Sequence, residues 1–175
     1  MNDKIRVLLS EEEVAKRIKE MGEVISIDYE GRPLHLICIL KGGVFFTCEL
    51  AKRISLPLTL DFMSVSSYGA GTVSSGIVKI VKDLDEPIEG KDVLIVEDII
   101  DSGNTLSYLI EVLKQRNPRS IELCTLLDKP ERRVKKQVTV KYTCFTVPDQ
   151  FIVGYGLDYD QKYRNLPYIG VIEQQ

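Results

Sequence analysis

Short apolar runs alternate along this chain with stretches whose apolar residues recur at helical spacing, a pattern that predicts an α/β fold. Ser10 and Glu13 form a capping box, and Val14, Ile18, Met21 and Ile25 then line one helical face up to about Glu30, with Gly31 as the stop. Leu34 to Leu40 (LHLICIL) reads as a strand between Pro33 and Lys41-Gly42-Gly43, and Val44 to Ile54 as the helix after it. Further strands are expected over Leu58–Val65, Gly76–Lys82 and Asp92–Val96, the last an unbroken apolar run of the buried parallel kind. Leu106, Leu109, Ile110 and Leu113 give a helix face that Asn117-Pro118 ends, and Ser120–Leu127 is a strand before the turn Asp128-Lys129-Pro130. Val138–Val147, Phe151–Gly154 and Tyr168–Ile172 add short strands. The alternation implies a mostly parallel, twisted sheet with right-handed crossovers, in which the first helix and the tail have no slot.

With 175 residues, the chain has the size of a single domain, residues 1–175, with no repeat and no linker. A net charge of -3 gives no basic surface for nucleic acid or membrane. The absence of a signal-like start or a run of about 18 apolar residues points to the cytoplasm. Cys38, Cys48, Cys124 and Cys144 form no C-x-x-C pair and read as small core residues. His35, the only histidine, alternates with Leu34 and Leu36 at a strand start, which leaves no zinc site and no nucleophile–histidine triad.

The chemistry concentrates in VLIVEDIIDSGNTL, Val93 to Leu106. In open α/β sheets ligands sit beyond the carboxyl ends of the strands, which is where Glu97, Asp98 and Asp101 fall. Ser102, Gly103, Asn104 and Thr105 then lead into a helix, an arrangement that turns backbone N–H groups and the positive helix end toward one anion. Carboxylates beside a phosphate need a cation or sugar hydroxyls between them. A second segment, residues 66–76, holds four serines, three glycines and a threonine, cannot pack a core, and reads as a mobile loop.

Strand, two acids, two apolar residues and D-S-G-x-T resemble the 5-phosphoribosyl-1-diphosphate (PRPP) motif of the type I phosphoribosyltransferases. Further segments, in order over nearly the whole chain, resemble the hypoxanthine-guanine branch of that family. ILKGG, ending at Gly43, is similar to its pyrophosphate loop, with Lys41 and Gly42 at the leaving group and the Lys41-Gly42 peptide expected to be cis. SVSSYG resembles the closing loop through Ser67 and Tyr68. LLDKP resembles the purine-recognition segment, with Lys129 donating to the 6-oxo group. FIVGYGLDYDQKYRNLP resembles the base-stacking and metal segment: Phe151 on the purine, the Ile152 backbone on the base edge, Asp158 on a second magnesium and Arg164 on pyrophosphate.

The resemblance implies a type I phosphoribosyltransferase fold with a small hood built from the chain-end elements. It also implies transfer of phosphoribose from PRPP to N9 of hypoxanthine or guanine in purine salvage, with Mg2+ as cofactor. Asp101 would exchange a proton at N7, Glu97 and Asp98 would meet the ribose hydroxyls or their magnesium shell, and the loop from Asp101 to Thr105 would hold the 5'-phosphate. A homo-oligomer, dimer or tetramer, is expected, the tetramer first. Preference among hypoxanthine, guanine and xanthine depends on carbonyl directions near Asp158 and stays open. An RNA-binding attenuation protein on the same fold would carry D-D-V-L-x-T-G-R-T where this chain has EDIIDSGNT.

Overall fold

The structure, a computed structural model, describes residues 4–67, 78–134 and 138–173, with Ser67 known by its backbone alone. Tyr68 and the remainder of the serine-glycine segment from there on lie outside the described residues. In chain order the elements are β1 (Lys4–Leu9), α1 (Glu11–Asp28), β2 (Leu34–Leu40), α2 (Val44–Arg53), β3 (Leu58–Ser67), β4 (Val78–Lys82) and β5 (Asp92–Ile100). They continue with α3 (Asn104–Lys114), β6 (Ser120–Asp128), a 3-10 turn (Pro130–Arg132), β7 (Tyr142–Thr146), β8 (Ile152–Val153) and β9 (Ile169–Glu173).

Six strands form the main sheet in the order β4-β3-β2-β5-β6-β7, and three form a small sheet, β1-β9-β8. All neighbours in the main sheet are parallel except β4 on β3. Side chains of a strand alternate between faces, and the central strands bury both. Leu36, Leu94, Val96, Cys124 and Leu126 enter one apolar cluster with α1 and α2, while Ile37, Ile39, Val93, Ile95 and Leu123 enter another with α3.

The first helix belongs to this core and not to a hood. Its face of Val14, Ile18, Met21 and Ile25 packs with Phe46 and Leu50 of α2 and with Tyr142 and Cys144 of β7. Arg17 on the same helix donates from Nε to the Cys144 carbonyl (2.9 Å) and from a terminal nitrogen to that of Thr143 (3.1 Å), covering the exposed edge of β7. The expected capping box is formed, Ser10 Oγ accepting from Glu13 N–H at 3.2 Å and Glu13 accepting from Ser10 N–H at 2.7 Å.

The hood is the small sheet, which the chain ends do build. Its first strand, Lys4–Leu9, is an element the apolar pattern did not announce, because only part of one face is covered. It pairs antiparallel with β9, placing Lys4 opposite Glu173 with an ion pair at 3.0 Å. Ile152, Leu157, Ile169 and Val171 share the α1 and α2 cluster, so the small sheet and the main sheet rest on common apolar packing. Two further expectations are corrected. The strand drawn over Val138–Val147 is Tyr142–Thr146, since pairing with β6 begins only at Cys124↔Tyr142. Cys48 is exposed on α2, whereas Cys38, Cys124 and Cys144 are buried as thiols.

At the amino end of the sheet a buried carboxylate ties three segments together. Asp92 accepts from Ser120 Oγ at 2.6 Å and from Arg119, with Arg32 at 3.7 Å. The Arg119 hydrogen bond, opposed by burial and helped by Ser120, holds this carboxyl below the usual range. The unfolded chain therefore binds the proton first as pH falls. Stability from this cluster is present above the ordinary value of about 3.9 and is lost as pH drops through the lower folded value. Urea midpoints at about pH 7 and about pH 3 should fall further for the wild type than for Asp92→Asn. Equal falls would show that Asp92 carries none of the acid sensitivity.

Candidate functional site

Parallel strands end together, so Lys41 after β2, Ser67 at the end of β3, Asp101 after β5 and Lys129 after β6 meet at one sheet edge. Phe151 follows β7 through residues 147–150. Within that edge β5 is paired unequally. Its register with β2 stops at Cys38↔Val96, but with β6 it runs on to Ile100↔Asp128. Glu97 and Asp98 are thus residues of the strand, which was expected to end before them at Val96. The apolar run ends at Val96 because that is where the strand loses its second neighbour.

The chain leaving β2 comes back against the flank so opened. The peptide that turns it is cis, at Leu40–Lys41, one residue before the bond expected from the resemblance. Leu40 is still paired with Ser64 of β3, so the departure falls on the peptide that follows it. A Cβ at Gly42 would stand 1.8 Å from Asp98 Oδ2, and one at Gly156, where φ is +101°, would stand 2.0 Å from the Gly42 carbonyl oxygen. Glycine at both places lets the loop after β2 lie between the acid pair and the C-terminal segment.

Two cations meet on that segment. Lys41 Nζ donates to Gln161 Oε1 at 3.1 Å, and Arg164 reaches the same oxygen at 3.4 Å. Arg164 also bonds the Gly156 carbonyl at 2.7 Å and pairs with Asp158 at 3.1 Å, while Asp158 Oδ2 accepts from Gln161 N–H at 2.8 Å. Lys41, Gly42, Asp98, Asp158 and Arg164 are therefore brought together.

Burial, and next the Asp98 charge, raises Glu97 well above the carboxylate range. Burial also raises Asp98, against the pull of the Ile99 N–H (2.8 Å) and Arg164. Two crowded carboxyls of this kind suit a hydroxyl donor or a hard cation. No cluster of three or more His, Cys, Asp or Glu suited to metal exists among the described residues. Magnesium takes one or two carboxylates and completes its shell with water and phosphate oxygens, so this oxygen donor set fits it.

The other end of the site is the anion loop. Gly103 adopts φ +80° and, as the residue before α3, supplies no side-chain cap to the helix that begins at Asn104. Ser102 Oγ accepts from Asn104 N–H at 3.3 Å, and Thr105 lies in the first turn. Asp101 Oδ1 is buried with no hydrogen-bond partner among the described residues. Lys129 is buried, its Nζ donating to the Gln150 carbonyl at 2.6 Å, next to Phe151. Phe151 is 49% exposed and meets Tyr159 edge to face at 5.3 Å between ring centres. Ile152 is buried on β8, the edge strand of the small sheet. Ser67 lies opposite Val78 at the end of β3.

Sequence reasoning passed over Gln161, Tyr159 and Gly156. A glycine two residues before Asp158 was a readable signal of close backbone approach. Nothing in the local pattern marks Gln161.

A model of the phosphoribosyl transferase domain matches residues 7–160. The hypoxanthine-guanine phosphoribosyltransferase of Bacillus subtilis is 54% identical over 168 residues, 96% of this chain and 93% of that protein. The bifunctional protein TilS/HprT of Listeria monocytogenes is 52% identical over 174 residues, and this chain spans 27% of its length. The crystal structure of a hypoxanthine phosphoribosyltransferase from Staphylococcus aureus superposes with a TM-score of 0.92 at 50% identity, covering 96% of this chain and 91% of that one.

Gly42→Ala forces a methyl onto the Asp98 carboxylate and should cost about 1–3 kcal/mol, as over-packing does. In an Asp98→Ala background the same change should cost less, and a double-mutant cycle by urea unfolding measures the difference. Additive losses would show that the two residues do not touch.

Proposed function

Because the chain belongs to the phosphoribosyltransferase family, in its hypoxanthine-guanine branch, we propose that it transfers the 5-phosphoribosyl group of PRPP to N9 of hypoxanthine or guanine. The products are IMP or GMP and pyrophosphate, a purine-salvage reaction. The observation that carries this reading is the meeting at one sheet edge of an uncapped helix start, a buried acid pair and a buried lysine beside a half-exposed aromatic ring. Phosphate, ribose and purine each find their complement there.

In this reaction the bond from ribose C1 to the diphosphate oxygen breaks and the bond from C1 to purine N9 forms, while the proton on N7 passes to a base. The loop from Asp101 to Thr105 holds the 5'-phosphate through backbone N–H groups. Asp101, whose Oδ1 has no partner among the described residues, faces N7 and takes the proton. Lys129 donates to the purine 6-oxo group, Phe151 stacks on the ring, and the Ile152 backbone meets the base edge. Lys41 and Arg164 receive the departing negative charge, with Gly42 presenting backbone N–H to it. Glu97 and Asp98 would hold one Mg2+ near the ribose hydroxyls and Asp158 a second, and when bound these ions would neutralise the diphosphate. Ser67 and Tyr68 close over PRPP and exclude water from C1.

Residues 1–175 act as one unit, supported by the apolar cluster common to both sheets. The reading also takes the protein as cytoplasmic and homo-oligomeric. No described helix is long and apolar enough to cross a membrane. Val24 and Ile27 on α1 and Phe45 on α2 are exposed apolar side chains suited to contact with a second copy.

Assay of nucleotide formation from PRPP with hypoxanthine, guanine, xanthine and adenine tests the proposal, with turnover expected for the 6-oxopurines and little for adenine. Asp101→Asn should lower turnover by roughly 10²–10⁴-fold with PRPP affinity retained, as loss of general acid–base work does. A wild-type rate in that variant would remove Asp101 from the proton path. Excess chelator should abolish transfer, and added Mg2+ should restore it; full activity in chelator would overturn the metal assignment.

A further inference from the structure

A loop that presents N–H groups to an anion must send its carbonyl oxygens the other way, or they repel the charge the amides attract. Here three consecutive carbonyls are held back by one short segment. Ile100 O accepts from Lys129 N–H at 3.0 Å, Asp101 O from Arg133 Nε–H at 3.2 Å, and Ser102 O from Val134 N–H at 3.0 Å. The segment is stiffened by its own 3-10 turn, with Arg132 N–H on Lys129 O and Arg133 N–H on Pro130 O, both at 3.1 Å. Two of the three bonds are made by backbone. The middle one, on the residue assigned as the base, is made by a side chain.

That side chain is itself fixed. The Arg133 guanidinium pairs with the Asp128 carboxylate, and the two side chains are only 15% and 17% exposed. One planar group thus spans the last residue of β6 and the Asp101 carbonyl, a geometry suited to the fork of an arginine. Lys129, which reads the purine, starts the same segment.

Resting on the transfer reaction proposed above, we propose that Arg133, held by Asp128, is a positioning residue. It sets the Asp101 carboxyl and the phosphate amides in register with Lys129, so that the purine and the 5'-phosphate are gripped by one brace. Arg133 touches neither substrate; it acts through the Asp101 peptide.

Three variants test this: Asp128→Asn, Arg133→Lys and Arg133→Met. Lysine keeps a cation opposite Asp128 but has a single nitrogen for two acceptors. For Arg133→Met the KM for PRPP should rise about tenfold or more, the scale on which small misplacements act, and the purine KM should rise less, because Lys129 N–H keeps its own bond to the Ile100 carbonyl. Arg133→Lys and Asp128→Asn should lie between it and the wild type. Amide exchange at residues 102–105 of the ligand-free protein should be faster in Arg133→Met than in the wild type under conditions where both are folded. Unchanged PRPP KM and unchanged exchange, with kcat falling only as the folded fraction falls, would overturn the brace and leave the transfer reaction standing. A wild type that makes no nucleotide would sink the reaction, and the exchange comparison would still decide whether Arg133 holds the loop.

Discussion

Unequal pairing of β5 is the constraint from which the site follows. A central parallel strand flanked on both sides has no free backbone and no room for ligand. Here β2 turns away after Leu40 while β6 stays alongside β5 to Asp128, so four residues from Glu97 onward are held on one flank and open on the other. The backbone there is held by the β6 ladder, while Asp98 faces a loop that carries glycine. Functional groups on regular structure are placed more firmly than groups on a loop, which matters when the chemistry is mainly positioning.

The helix ends show a division of labour that propensity alone would not give. The first turn of α1 carries Glu11, Glu12 and Glu13 with a complete capping box, so its positive end is neutralised within the chain. The helices α2 and α3 start after glycine with no side-chain cap and no acid in the first turn, and both start at the ligand edge. Apart from Asn104 N–H, which has Ser102 Oγ at 3.3 Å, such helix starts leave leading N–H groups to be satisfied by something other than a capping side chain. A diphosphate at one and a monophosphate at the other would satisfy both.

Much of this was legible in the sequence, and the exceptions share a cause. The runs that became β2, β5 and β6 are apolar on both faces, and α3 has an apolar stripe, so burial made them readable. β1 was missed because its partner, β9, lies at the other end of the chain and its residues stay half exposed. The stripe from Val14 to Ile25 announced a helix but could not say which surface it covers, and the surface turned out to be α2 and β7. The acids were set after the strand because hydrophobicity reports burial, whereas the ladder of β5 on β6 continues through polar residues. Of the named site residues, those carried by glycine loops or a strand-loop-helix pattern were recoverable. Gln161 draws its place from a fold of the backbone with no local signature.

That fold of the backbone deserves a physical account. Four of the five described non-glycine residues with positive φ, namely Tyr155, Asp160, Gln161 and Tyr163, lie within nine residues of one another. Such conformations are uncommon for residues with a Cβ and persist only where surrounding bonds dictate them. The bonds are present: Gly154 and Leu157 exchange N–H and carbonyl at 3.0 Å each way, Tyr159 and Lys162 do so at 3.1 and 2.9 Å, and Gly156 N–H reaches the Arg164 carbonyl at 2.9 Å. The segment is therefore a stiff finger, rooted by Leu157 in the shared core. Phe151 meets Tyr159 at one end of it, and Arg164 holds Gly156 at the other. On the function proposed, a purine on Phe151 and a diphosphate on Arg164 would both be referred to this one segment, with the span between them set by its backbone hydrogen bonds and not by the torsions of two independent side chains.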